Sequence, residues 1–317
     1  MELKSTREAY GDALLKLGDD DNSVVVLDAD LSVSTQTNKF AKKYPERFFN
    51  VGCAEQNLIG VAAGLAIAGK TSFASTYAIF STRAWEQIRN TVAHDNLNVK
   101  IAVSHAGLTN GPDGASHQSL EDIALMRIIP NMTVIVPSDA IEAEKAVVSE
   151  ASRAGPAYIR LNRVETPIIF EENYNFVHGK AVLLNDGADL AIISTGTMVY
   201  EALEAAKMLR RENVDACVLN IHTLKPIDKK VIIKIAKETG AIVTVEEHSI
   251  YGGLGGAVAE ILAEKYPVPM RIIGVNDEFG ESGEYQELLK KHGLTAMNIF
   301  KSVKELLEIK NHEIPRD

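Results

Sequence analysis

The sequence predicts an α/β protein made of two doubly wound domains, each built on a mainly parallel sheet. Three observations carry that expectation. Short, near-continuously apolar runs alternate with longer stretches of helical periodicity from end to end, as parallel strands and their crossover helices do. The chain has 317 residues, enough for two domains at roughly 100 to 200 residues each. The alternation breaks once, over residues 165–187, where Pro167, Glu171, Glu172, Asn173, Asn175, Gly179, Asn185, Asp186 and Gly187 gather. The expected division is a first domain over 1–170, a linker over 171–187 and a second domain over 188–317.

Ser5 followed by Glu8 reads as a capping box that opens a helix through Leu17. Residues 24–27, Val-Val-Val-Leu, form the first strand, apolar throughout as a strand covered on both faces must be. Residues 101–103, 134–136 and 158–159 supply further strands, and residues 55–68, 82–95 and 139–152 carry helices. Pro137-Ser138-Asp139 ends a strand and caps the helix after it. Beyond the break, residues 190–193, 216–219, 241–245 and 271–273 are strands, with a helix over 199–211.

Composition narrows the function classes. Lys and Arg number 33 against 43 Asp and Glu, a formal charge of -10, so nonspecific binding along a nucleic-acid backbone is not expected. No apolar run reaches membrane-spanning length, and the N-terminal residues lack the apolar stretch of a signal peptide. Cys53 and Cys217 are too few for a disulfide framework or a cysteine zinc site. A cytoplasmic protein is the expectation.

In open parallel sheets ligands collect beyond the carboxyl ends of the strands. Asp28 and Asp30 follow the first strand, and residues 51–57 open a helix rich in Ala and Gly. That helix is apolar on most faces and therefore expected to be buried. Glu55 at its start either complements the helix dipole or serves as a desolvated carboxyl that shares a proton with a basic ring nitrogen. His105 and His117 flank Asp113 on a loop rich in Gly, Pro and Asn, which suits a polyhydroxylated ligand better than a metal. Tyr77 and Phe80 are placed to stack on a flat heterocycle, whereas Trp85, in register with Ile88 and Val92, reads as core. The glycines of residues 252–256 miss dinucleotide-binding spacing and suit a close helix–strand or subunit contact.

Taken together, these loops resemble the second half of transketolase across nearly the whole chain. Residues 51–56, Val-Gly-Cys-Ala-Glu-Gln, resemble the segment whose glutamate activates thiamine diphosphate. Residues 80–89 resemble the aromatic segment that packs on the aminopyrimidine, and residues 111–118 resemble the substrate loop. The stretch from Leu190, with residues 224–228 and 245–248, resembles the family's C-terminal domain. The resemblance implies a pyrimidine-binding domain followed by that C-terminal domain.

It also implies roles. Glu55 holds the pyrimidine N1′, Tyr77 and Phe80 contact its ring, and Asp30 approaches the cofactor. His105, Asp113 and His117 bind the carbonyl and hydroxyl groups of the donor sugar, so Glu55, His105 and His117 are the catalytic candidates. Arg7, Ser34 and Arg163 match positions that bind the sugar phosphate, with Arg160 close enough to Arg163 to compete for the last role. The implied reaction moves a two-carbon ketol unit from a ketose phosphate to an aldose phosphate.

Two departures stand out. Residues 54–56 are Ala-Glu-Gln where many transketolases have Arg-Glu-His, and deoxyxylulose phosphate synthase shares the former. The Gly-Asp-Gly motif that holds diphosphate and magnesium is absent. The resemblance therefore implies thiamine diphosphate with Mg2+ held by a separate N-terminal transketolase subunit, in an α2β2 assembly. The rivals are half of a deoxyxylulose phosphate synthase-like enzyme, a 2-oxoacid dehydrogenase beta subunit, and a noncatalytic nucleotide-binding or electron-transfer module.

Overall fold

A computed structural model describes residues 2–313, with side chains through Lys310. The first sheet has seven strands in the order Thr223–Lys225, Thr133–Ile135, Ala157–Arg160, Val99–Ser104, Thr71–Tyr77, Val24–Asp28, Phe48–Asn50. All neighbours pair parallel except Thr223–Lys225, which runs antiparallel to Thr133–Ile135. The second sheet has five strands, Met270–Val275, Ile242–Ser249, Leu190–Ser194, Ala216–Asn220 and Val182–Asn185, with only the last antiparallel. Two elements cross the expected segmentation. Val182–Asn185 lies within the stretch read as linker yet completes the second sheet, and Thr223–Lys225 returns to the first.

The central strands are buried end to end because both sheet faces are covered. On one face of the first sheet, Thr6–Asp20 and Ala140–Ala151 enclose Tyr10, Leu14, Phe40, Phe73 and Ile159. On the other, one apolar cluster runs from Leu27 and Ile101 through Val134 into Ile193, Leu219 and Leu224. The two sheets thus share a core. A further cluster of Val243, Leu209, Ile299 and Val303 closes the outer face of the second sheet.

Local signals behave as their chemistry requires. Ser5 and Glu8 form both halves of the capping box, and the Asp139 side chain accepts the N–H of Glu142. The stretch 82–95, expected to be one helix, is instead a 3-10 turn (Thr82–Ala84), one α turn (Trp85–Gln87) and a π-helical segment (Ile88–Ala93). Trp85 is pinned there because its Nε1 donates to the Leu125 carbonyl at 2.9 Å. The helix Glu55–Ile67 corrects a second expectation. Leu58, Ile59, Ala62 and Ala63 are buried, but Gly60 and Gly64 face open space and Ile67 is 71% exposed. Among the described residues no helix is long and apolar enough to cross a membrane.

Candidate active site

Parallel pairing puts the carboxyl ends of five strands along one edge. Tyr77 ends its strand opposite Ser104, and Val103 pairs with Arg160 on the next strand. Asp28 sits between Asn50 and Ser75 in the same row. Every loop leaving these strands is therefore delivered to the same side of the sheet.

Glu55 opens the helix Glu55–Ile67, where an acid complements the unsatisfied amides of the first turn. It is 8% exposed, and its Oε2 lies 3.5 Å from Nε of Arg83, just past the Phe80 segment. Gln56 Nε2 also donates to the Arg83 carbonyl, at 3.2 Å. Two contacts thus clip the aromatic segment to the start of the glutamate helix.

Tyr77 stacks on Phe80 with centroids 5.4 Å apart and planes at 11°. Its other neighbour is His105, at 3.8 Å and 20°, and Phe80 meets His117 edge-on at 5.4 Å. Tyr77, Phe80, His105 and His117 form one continuous aromatic wall.

His105 has φ of +59°, a conformation L residues adopt only when the surroundings hold it. Here the Tyr77 stack and a 2.8 Å hydrogen bond between Nδ1 and Ser104 Oγ hold it. Burial pushes the imidazole down to about 3, with Arg7, Arg163 and His117 adding to the effect, so the ring is neutral near pH 7. Asn110 Nδ2 donates to the carbonyls of both His105 and His117, which sets the span of the loop between them.

Arg163 Nη1 donates to the Asn110 carbonyl at 3.1 Å and to Asp113 Oδ2 at 3.2 Å. Arg7 donates to the backbone carbonyl of Ser34 at 2.9 Å, while its buried Nε has no partner among the described residues. Burial, then the like charge of Arg163, pulls the Arg7 guanidinium below its ordinary range. Two guanidiniums close enough to repel, one with an idle buried donor, suit an anion.

Arg160, the rival of Arg163, is placed differently. It is 7% exposed, its Nε donates to Asp122 at 2.8 Å, and its Nη2 donates to the carbonyls of Ser119 and Glu247 at 3.3 and 3.1 Å. Burial would raise the Asp122 carboxyl, but Arg160 overrides it and holds the group below the usual range. Arg160 is committed to a buried ion pair, which leaves Arg163 facing the loop.

Asp30, with φ of +65°, stands at the rim. Its N–H donates to Asn50 Oδ1 at 3.1 Å, and Asn50 Nδ2 returns a bond to Asp30 Oδ1 at 3.0 Å. The same Oδ1 of Asn50 accepts the N–H of Gly52, so Asn50 couples the Asp30 loop to the approach to Glu55. Sequence reasoning missed Asn50, Arg83 and Asn110. Asn50 carried one usable signal, a polar amide closing a short apolar run just before the Gly52 turn. Among the described residues no group of three or more His, Cys, Asp or Glu side chains is placed to hold a metal ion.

Two of the glycines after Tyr251, Gly253 and Gly255, serve packing. Leu254 and Gly255 amides donate to the buried Glu246 carboxylate at 2.7 and 2.8 Å, and a Cβ at Gly253 would lie 1.9 Å from Glu246 Oε2. A Cβ at Gly255 would meet Ile272 at 2.5 Å. That is a close helix–strand contact, and the nucleotide-binding alternative loses its loop.

Comparison with known proteins agrees with this geometry. "Transketolase, pyrimidine binding domain" matches residues 3–168, and "Transketolase, C-terminal domain" matches residues 179–299. The chain is 51% identical over 306 residues to the Putative transketolase C-terminal section of Methanocaldococcus jannaschii, covering 95% of this chain and 96% of that protein. It is 44% identical over 306 residues to the 6-deoxy-6-sulfo-D-fructose transketolase subunit SqwH of a Clostridium species, covering 96% and 95%. A solved structure described as "Split gene transketolase, inactive beta4 tetramer" matches with a TM-score of 0.91 at 52% identity, covering 96% of this chain and 99% of that one. The chain belongs to the transketolase family. Its two domains are that family's pyrimidine-binding and C-terminal domains, in that order, and the family's cofactor is thiamine diphosphate.

Proposed function

We propose that the chain is the C-terminal subunit of a transketolase, moving a two-carbon ketol unit from a ketose phosphate to an aldose phosphate. The observation that carries the reading is the aromatic wall. It joins the Tyr77–Phe80 pair, flat and beside the Glu55 helix, to the two histidines of a polar loop. A flat heterocycle and a polyol are the two ligands such a wall serves.

The residues fit the pyrimidine end of thiamine diphosphate. Glu55 would meet the ring nitrogen, Tyr77 and Phe80 would contact the ring, and Asp30 would stand at the edge. When bound, the cofactor supplies an electron sink for cleavage beside a carbonyl. Glu55 would share a proton with the ring nitrogen, a role worth about two powers of ten or more in rate. Neutral His105 and the neighbouring His117 hydrogen-bond the sugar oxygen where negative charge develops. Asp113 accepts from a sugar hydroxyl, and Arg7 and Arg163, with the Ser34 segment, hold the terminal anion.

The diphosphate and Mg2+ fall to an N-terminal subunit, and the assembly is α2β2. Two things support this: relatives whose names call them a subunit or a split gene product, and the uncovered face of Gly60, Gly64 and Ile67 beside Glu55. Product analysis with xylulose 5-phosphate and ribose 5-phosphate, on the chain mixed with its partner, tests the reaction. The SqwH relative is named for a sulfonated ketose, so a sulfonated donor belongs in the same assay. Turnover of neither donor would remove the reading.

A further inference from the structure

Glu247 belongs to the second domain, on the strand Ile242–Ser249, yet it reaches into the first. Its Oε1 accepts the backbone N–H of Leu108 at 2.6 Å. Its Oε2 accepts the hydroxyls of Thr197 and Tyr285 at 2.7 and 2.9 Å. Leu108 stands three residues past His105, on the loop whose far limb carries His117. Gly107, with φ of +65°, makes the approach possible, because a Cβ there would sit 2.3 Å from Oε1.

The same domain braces the far limb. Tyr285 begins a short helix, and the residues just before it lie against the loop. The Gly283 N–H donates to the Gly111 carbonyl at 3.4 Å, and Gln118 Nε2 donates to the Glu281 carbonyl at 2.9 Å. Arg160 closes the circuit by donating to the carbonyls of Ser119, at the end of the loop, and of Glu247 itself. The carboxylate therefore holds the near limb directly and the far limb through Tyr285, while the Glu247 backbone carbonyl is tied to the end of the loop by Arg160.

We propose that Glu247 is a positioning residue for the sugar loop: gripping Leu108 and Tyr285, it fixes how far His105 stands from His117. The inference rests on reading that loop as the donor-sugar site. The required feature is geometric. A glutamine offers one oxygen to Leu108 and an amide that the two hydroxyls accept once their O–H bonds turn. Alanine leaves the buried Leu108 amide without a partner, a costly state.

The test uses E247A, E247Q and Y285F, assayed with the partner subunit, together with amide exchange at Leu108 on the chain alone. E247A is expected to raise the donor KM about 10- to 100-fold, the scale of a lost hydrogen bond to a charged group. Affinity for thiamine diphosphate should change less than about threefold, separating sugar binding from cofactor binding. Leu108 exchange should accelerate in E247A while the core helix carrying Leu14 stays protected. E247Q should restore most of both readouts, which a purely stabilising charge would not allow. If E247A fails to fold, Y285F carries the test, with shifts in the same direction but smaller. Folded E247A or Y285F with wild-type donor KM and wild-type Leu108 exchange overturns the proposal. Absence of ketol transfer by the unmutated pair defeats the functional reading instead, and the exchange comparison then decides the positioning role alone.

Discussion

The Tyr77 ring lies nearly flat on the His105 imidazole, with centroids 3.8 Å apart and planes at 20°. Tyr77 ends its strand directly opposite Ser104, so His105 leaves the sheet one residue beyond the tyrosine's partner. Strand register, fixed by burial on both faces, thereby sets the distance between the ring assigned to the cofactor and the imidazole assigned to the sugar.

Glu55→Gln should lower turnover of the reconstituted enzyme at least about 100-fold with cofactor saturating, because an amide cannot exchange the proton. Circular dichroism and melting temperature should stay near wild type, since Gln keeps the volume and a hydrogen-bonding oxygen. Near-native turnover would remove Glu55 from the acid–base role.

His105 should remain neutral from pH 8 to pH 5, and its C2 proton resonance should not titrate in that window. The folded value, about 3, lies below the ordinary 6.5, so as pH falls protons bind the unfolded chain first. The His105 contribution to stability is therefore complete above about 6.5 and is lost below it, by at most about 1.4 kcal/mol per pH unit. Glu142, pushed up to about 7 by burial, acts with the opposite sign. The informative quantity is thus the difference between wild type and His105→Asn, which should shrink as pH falls from 6.5 to 5. A midpoint near 6.5 in the resonance would contradict this.

His117→Ala should raise the donor KM by about 2- to 12-fold, the scale of one lost neutral hydrogen bond, and Asp113→Ala by about 10- to 100-fold, the scale of one lost hydrogen bond to a charged group. Thiamine diphosphate affinity should move much less. An equal loss of cofactor affinity would reassign the loop.

Arg160 and Arg163 should separate cleanly. Arg160→Met leaves Asp122 charged and buried, and should cost about 3 to 5 kcal/mol of stability. Arg163→Met breaks a half-exposed pair, should cost at most about 1 kcal/mol, and should instead weaken binding of the sugar's anionic end. Denaturant melts and KM values for both variants decide the matter; equal destabilisation would erase the distinction.

What the sequence made legible followed from chemistry that is local. The capping box at Ser5, the Asp139 cap and the apolar strand at Val24 each announce themselves within a few residues. The strand Thr71–Tyr77 did not, although all seven positions are buried, because small hydroxyl residues fill it in place of an apolar run. One of those hydroxyls, on Ser75, meets the Tyr10 hydroxyl at 2.6 Å, a partner from a distant helix. The strand Thr223–Lys225, which returns to the first sheet, is equally nonlocal. Apolarity also overstated the burial of the Glu55 helix, since it does not say which face the chain itself covers. In the site, loops after apolar strands stood out, whereas Asn50, Arg83 and Glu247 matter only through contacts made across the fold.

The most direct test of the account is reconstitution. The chain is purified free of partners, then mixed with a chain carrying the Gly-Asp-Gly motif, thiamine diphosphate and Mg2+, and assayed for ketol transfer before and after mixing. Transfer is expected only in the mixture, rising to a plateau at equimolar chains. Transfer at the full rate by the partner-free chain would contradict it.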